Sequence, residues 1–200
     1  MKKKVYTIFL IFSSFELLFG QAGTFSGRSR FGLQVLGSHE VTINNLSGTE
    51  DVETGFSFGA DFLCAVHDNI ELGIGIEYQI PRSQVKYEGD FNFAPLYGII
   101  RFPISLRYVT LYSLGRIGYG FFFGEERYTG TFGKLTGGFY YAVGGGIELI
   151  RFTLFGRENY LFLESTYSAN NGRVEDDYFN YSADVCYRRM DIFFGLGGKF

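Results

Sequence analysis

Few residues in this 200-residue chain could act as nucleophiles, bases or metal ligands. Its histidines are His39 and His67, and its cysteines are Cys64 and Cys186. His67 lies in the stretch VHDN, where Asp68 and Asn69 are ordinary turn residues, so it reads as a solvated turn side chain. His39 sits beside a strand end and reads as a surface residue more readily than as a weak metal ligand. Ser168, in STYSANNGR, has no neighbouring base to activate it. The glycine patterns GIGI and VGGGIE lack the strand-to-helix context and the spacing of a phosphate loop. No catalytic, cofactor-binding or metal-binding set emerges. What does emerge is a patterned charge: Arg30, Asp61, Glu71, Glu77, Arg101, Arg116, Glu148, Glu164, Arg189, Asp191 and Lys199 all occur in alternating segments.

Alternation is the signature of strands, because successive side chains of a strand point to opposite faces. From Ile70 to Ile80 the apolar set is Ile70, Leu72, Ile74, Ile76, Tyr78 and Ile80, with Glu71, Gly73, Gly75, Glu77 and Gln79 between them. From Phe139 to Leu149 the apolar set Phe139, Tyr141, Val143, Ile147 and Leu149 interleaves with Tyr140, Ala142, Gly144, Gly146 and Glu148. Helical spacing would scatter those glutamates around an apolar stripe. Weaker alternation predicts further strands over Arg28–His39, Thr54–Ala65, Asn92–Phe102, Tyr108–Phe121, Asn159–Ala169 and Arg188–Phe200. That makes about eight strands, each near the ~9–11 residues that cross a bilayer at a tilt.

Connection lengths alternate as well. Long segments (His39–Thr54, Pro81–Phe91, Phe122–Gly138 and Asn170–Tyr187) follow the odd strands, and short ones (Val66–Asn69, Pro103–Arg107 and Ile150–Glu158) follow the even strands. This is the arrangement of a closed antiparallel up-and-down transmembrane barrel with short periplasmic turns and long external loops. The opposite choice, an apolar face turned inward, would make a soluble barrel with an apolar pocket. The polar parity argues for the membrane form: Lys199 is the one lysine of the predicted strands, and glycine is abundant there. Glu71, Glu77, Arg101, Arg116, Glu148, Glu164, Arg189 and Asp191 then become candidates to line the lumen, paired as a structural ion network. A gated conduction path is the sharper alternative. Tyr78, Phe102, Tyr108, Phe121, Tyr160 and Phe200 are expected in interfacial girdles. Cys64 and Cys186 fall near opposite ends of their strands, beyond disulfide reach.

Both ends of the chain add to this pattern. Lys2, Lys3 and Lys4 precede an apolar stretch from Val5 to Phe19, with small residues at Gly20 and Ala22, which reads as a secretory signal peptide over residues 1–20 cleaved near 20–22, followed by the barrel domain at 21–200. At the other end Met190, Ile192, Phe194, Leu196, Gly198 and Phe200 share one face. That ending resembles the carboxy-terminal insertion signal of bacterial outer-membrane barrels, with Ile192, Phe194, Leu196 and Phe200 as its apolar and aromatic members. Nearly the whole mature chain resembles the small outer-membrane β-barrel family that includes opacity-type surface proteins and the transmembrane domain of major outer-membrane proteins.

The resemblance implies residence in the outer membrane of a Gram-negative-type bacterium, contact with its lipid and lipopolysaccharide, and recognition of the last strand by the barrel-assembly machinery. It implies a monomer. Some members of that wider group are lipid-modifying enzymes, including a deacylase with a histidine–serine pair near the last long loop. Here Tyr167 stands where such a histidine is wanted, so no enzyme is expected. The expected role is structural or surface-interacting, with the external loops meeting a protein or glycan; the alternative is a small porin-like channel. A net charge of −3 without a basic block excludes a nucleic-acid partner.

Overall fold

The computed structural model describes residues 24–43, 46–52, 54–80, 82–83, 90–124, 133–154, 156–176 and 181–200. They form strands β1 (Phe25–Ile43), β2 (Leu46–Asp51), β3 (Phe56–His67), β4 (Ile70–Gln79), β5 (Arg82–Ser83), β6 (Asp90–Ser105), β7 (Thr110–Gly124), β8 (Gly133–Leu154), β9 (Arg157–Asp176) and β10 (Tyr181–Lys199). Eight of these are staves: each long strand pairs antiparallel with the next, and β10 returns to β1 to close the barrel. That seam runs from Ser26 opposite Lys199 to Thr42 opposite Asp184. The short β2 pairs with the upper part of β1, and β5 with the start of β6. The expected eight-stranded closed barrel is the fold observed.

Strand faces follow the sequence parity. Phe31, Phe58, Ile74, Ile117, Val143 and Phe194 stand on the outside, exposed, while Arg30, Asp61, Glu77, Arg116, Glu164 and Arg189 are buried within. Exposed apolar side chains over a closed barrel with a charged interior are the arrangement of a lipid-facing wall. Two register shifts locally break the parity. A bulge between Gln34 and Leu36 turns both Val35 and Leu36 outward, and one between Glu148 and Ile150 does the same for Leu149 and Ile150.

The structure corrects the strand ends. Segments expected to be long loops continue as paired strand: β1 runs to Ile43 and is met by β2, β8 begins at Gly133, β9 runs to Asp176 and β10 begins at Tyr181. Backbone pairing persists there although alternation fades, because above a lipid belt neither face needs to be apolar. The long connections are therefore extended hairpins, and residues 44–45, 84–89, 125–132 and 177–180 lie outside the described residues. At the other end the turns are tight. Leu154 pairs with Arg157, and Gly156 takes a φ of 73° that side-chain-bearing residues rarely adopt. The expected connection Ile150–Glu158 is thus mostly strand. The expected signal segment, residues 1–20, lies outside the described residues.

Candidate functional site

Among the described residues, many charged side chains converge in the barrel interior. Its lowest tier, nearest the short turns, centres on Arg101 of β6. The Arg101 guanidinium donates to Glu71 of β4 at 2.7 Å and to Glu148 of β8, and lies 3.9 Å from the centre of the Tyr112 ring. Arg151 reaches the same Glu148 at 3.3 Å from the rim. The middle tier centres on Glu164 of β9, which accepts from Arg28 at 2.8 Å, Arg116 at 2.5 Å and the Tyr112 hydroxyl at 3.1 Å. Arg28 also lies 3.8 Å from the centre of the Phe162 ring.

Asp61 of β3 links this tier to the next. It accepts from Arg30 at 2.5 Å and from the Tyr97 hydroxyl at 2.8 Å, with Arg28 and Arg116 at 3.8 and 3.7 Å. Above it, Glu77 of β4 bridges Arg30, at 2.9 Å, and Arg189. Arg189 in turn contacts Asp191 at 2.9 Å and donates to Ser57 at 2.9 Å and Ser168 at 3.1 Å. Five arginines (Arg28, Arg30, Arg101, Arg116 and Arg189) thus share the interior with six carboxylates (Asp61, Glu71, Glu77, Glu148, Glu164 and Asp191), and Arg151 joins at the rim. Burying so many ions is tolerable because each has a close counter-ion. Small neighbours make the room: a side chain on Gly59 would sit 2.8 Å from the Arg30 guanidinium, and one on Gly75 would collide with Asp61 and Tyr97.

A different material fills the opposite mouth. Tyr187 donates a hydrogen bond to Gln34, and its ring meets Phe93 edge-on at 5.2 Å. Phe93 packs on Phe122 at 5.6 Å and takes the Arg189 guanidinium against its ring at 4.8 Å. Val52, just after β2, drops into this aromatic group and is buried. Its segment is tied to β1 by Val52 N–H to Gly37 O at 3.1 Å and Gln34 N–H to Gly55 O at 2.9 Å.

The structure places Glu71, Glu77, Arg101, Arg116, Glu148, Glu164, Arg189 and Asp191 inside the barrel, in one connected array except that the Arg101 tier joins the rest through Tyr112. Ile192, Phe194, Leu196 and Phe200 lie outside along the closing seam, where Phe200 N–H donates to Phe25 O at 3.0 Å. Sequence reasoning missed Arg28, although its parity is that of Arg30, and it missed the interior aromatics. Tyr160 is a correction. Expected in a girdle, it is 1 % exposed within the lumen, whereas Tyr78, Phe102, Tyr108, Phe121 and Phe200 are on the exterior. Its even number sets it with Phe162 and Glu164, a signal that was available. Ser168 is buried and bound to Arg189, while Tyr167 faces out. Cys64 and Cys186 are both free thiols. Among the described residues no group of three His, Cys, Asp or Glu side chains is arranged to hold a metal ion.

No protein-family model matches the chain, and comparison with curated proteins finds no match. Solved structures do match. The outer membrane protein OprG from Pseudomonas aeruginosa aligns over 90 % of this chain and 96 % of its own at 12 % identity, with a TM-score of 0.58. The outer membrane protein AlkL, solved in DMPC lipid bilayers, aligns over 90 % of both chains at 14 % identity, with a TM-score of 0.53. At such identities the likeness is one of fold. With its apolar exterior, charged interior and eight closing strands, the chain is a small β-barrel of the outer-membrane type.

Proposed function

We propose that this protein is an integral outer-membrane barrel that works through its surface, with a lumen closed by its own side chains. The observation that carries this reading is the filling of the interior from end to end. Arg101, Arg28, Arg116, Arg30 and Arg189 each reach carboxylates contributed by other staves, and the aromatic group around Phe93 covers the mouth. Eight strands leave a lumen only wide enough for side chains. An ion entering it would have to break charge pairs already made.

The remaining parts of the reading follow from it. Residues 1–20 act as a secretion signal, and Ile192, Phe194, Leu196 and Phe200 present the last strand to the assembly machinery. The closing pairing of β10 with β1 supports that role, since β10 completes the barrel. External contacts with protein, glycan or lipopolysaccharide fall to the extended hairpins, which are braced by Arg188 with Glu40 at 2.7 Å and by Arg173 with Asp184 at 3.8 Å. No catalytic role is proposed: the Ser168 hydroxyl accepts from the Arg189 Nε–H at 3.1 Å, a contact that does not activate it as a nucleophile. Planar-bilayer recording of the refolded protein, with folding checked by the mobility of the unboiled sample, tests the closed lumen. A folded barrel that passes no current is expected. Reproducible discrete openings would overturn it in favour of a small porin-like channel.

A further inference from the structure

The exterior is apolar but not evenly shaped. On the β1–β3 side the wall is filled by stacked rings: Phe31 lies 5.2 Å from Phe56, and Phe25 lies 5.5 Å from Phe62. On the β4–β6–β7–β8 side it is indented by a largely open groove of about 530 Å³, walled by Leu72, Ile100, Ile117 and Val143. Its floor includes the outward-facing Gly98 and Gly115. Neither glycine is required by packing. A methyl group on Gly98 would lie 3.9 Å from its nearest neighbours, the backbone oxygens of Gly73 and Ile117, and one on Gly115 would lie 3.6 Å from Ile100 Cγ2. Inward glycines differ, since a methyl at Gly75 collides with Asp61 and Tyr97. The space over Gly98 and Gly115 is therefore left for something outside the chain.

Below the groove, β6 and β7 meet in the turn at 106–109. Arg107 there is exposed and makes no ion pair among the described residues; its guanidinium lies 5.1 Å from the Tyr108 ring centre. Ile100 lies five residues before the end of β6 at Ser105, about 17 Å along a strand. At a tilt of about 40° that is roughly 13 Å of depth, with the turn carrying Arg107 beyond it, close to half of the ~30 Å hydrocarbon core. A cation thus sits at headgroup level directly beneath an apolar groove of acyl-chain depth. Of the other cations on this rim, Lys199 is paired with Glu158 at 3.6 Å and Arg157 lies 5.7 Å from the centre of the Phe200 ring.

We infer that the groove over Gly98 and Gly115 binds one acyl chain of an anionic phospholipid, whose phosphate is held by Arg107. The site rests on the membrane reading of the exterior but not on the closed lumen. Charge complementarity selects the anionic lipid, because an unpaired guanidinium at the interface favours one phosphate-bearing headgroup with net negative charge over a zwitterion.

The test is native mass spectrometry of the full folded chain released from nanodiscs of equimolar phosphatidylglycerol and phosphatidylcholine with identical acyl chains. One phosphatidylglycerol retained per barrel is expected, preferred about fivefold, the weight of one cation against an anionic surface. Arg107→Ala should bring that preference to near one while total lipid retention stays. Gly98→Leu, which fills the groove from the outside, should abolish retention of both lipids; if it does not fold, Gly115→Val reads the same groove. Retention by Gly98→Leu equal to the parent, or a preference that survives Arg107→Ala, would overturn the site. So would a dimer of the parent that Gly98→Leu dissociates, since a second copy would then occupy the groove. A chain that will not enter nanodiscs at all would instead sink the membrane reading, so the two failures are told apart.

Discussion

The lumen is sealed by opposite means at its middle and at its upper mouth. Around Glu164 the seal is ionic: Arg28 at 2.8 Å and Arg116 at 2.5 Å surround one carboxylate, and Tyr112 donates a further hydrogen bond at 3.1 Å. Around Phe93 it is aromatic, with Phe122, Tyr187 and Val52 in contact and a single cation, Arg189, beneath. The ionic tiers are built entirely by residues of the eight staves, whose register fixes every distance. The mouth depends on Val52, which lies between strands in a segment tied to β1 by two backbone hydrogen bonds, one from Val52 N–H and one to Gly55 O. An ionic seal set in a rigid wall fails when any one partner is removed, whereas an apolar seal fails by degrees with the volume lost.

That contrast sets the order of mutational cost. Glu164→Ala leaves Arg28 and Arg116 buried with only the more distant Asp61, at 3.8 and 3.7 Å, to share, and removing one partner of a buried pair costs about 3–5 kcal/mol. The urea midpoint of the refolded barrel should fall accordingly, and a loss under about 1 kcal/mol would mean that the tier is wet and weakly coupled. Phe93→Ala, at a fully buried site, should cost about 3 kcal/mol by transfer and cavity terms. A cost under about 1 kcal/mol would mean that the aromatic group is loosely packed and does not seal the mouth. Val52→Ala removes two carbons from the mouth and should cost about 1.6 kcal/mol. In planar-bilayer recording it should leave the barrel silent, because the Glu77–Arg189 and Arg30–Asp61 pairs still block the path below. Openings appearing in Val52→Ala would show instead that the mouth alone is the barrier.

The sequence made one seal legible and hid the other. Glu71, Arg101, Glu148 and Asp191 alternate with apolar neighbours, and once the apolar parity is turned outward the charges of the other parity must point in; Arg28, between Gly27 and Ser29 where its strand begins, lacks that apolar frame. The aromatic seal gives no such signal. Phe93, Phe122 and Tyr187 are the residue types of a lipid belt, and so is Tyr160 at the opposite end of the lumen, where only parity, and not chemistry, separates it from Tyr78 outside. Val52 belongs to no alternating run, and its place in the mouth depends on the β1 bulge and on pairing with β2. The upper halves of β8, β9 and β10 were hidden for a related reason: hydrogen bonding between neighbouring strands carries them, and it leaves no periodic mark once lipid no longer demands one.

The smallest effect lies outside both seals and completes the contrast. Arg188 and Glu40 pair at 2.7 Å on the upper wall between β10 and β1, with side chains 43 % and 24 % exposed. This is the same chemistry as Arg116 with Glu164, whose side chains are 0 % exposed. In water the Coulomb gain is shared with solvent and offset by the entropy of ordering two long side chains, so Arg188→Ala should cost under about 1 kcal/mol. The cost should also shrink toward zero as ionic strength rises to about 1 M, where the screening length is about 3 Å. The cost of Glu164→Ala should hardly respond to the same salt, because mobile ions cannot enter a lumen already filled by side chains. Parallel urea titrations of both variants at low and high salt therefore read the solvation of the two places directly. Equal salt dependence would mean that water and ions reach Glu164, and the interior would then have to be regarded as an open, hydrated path.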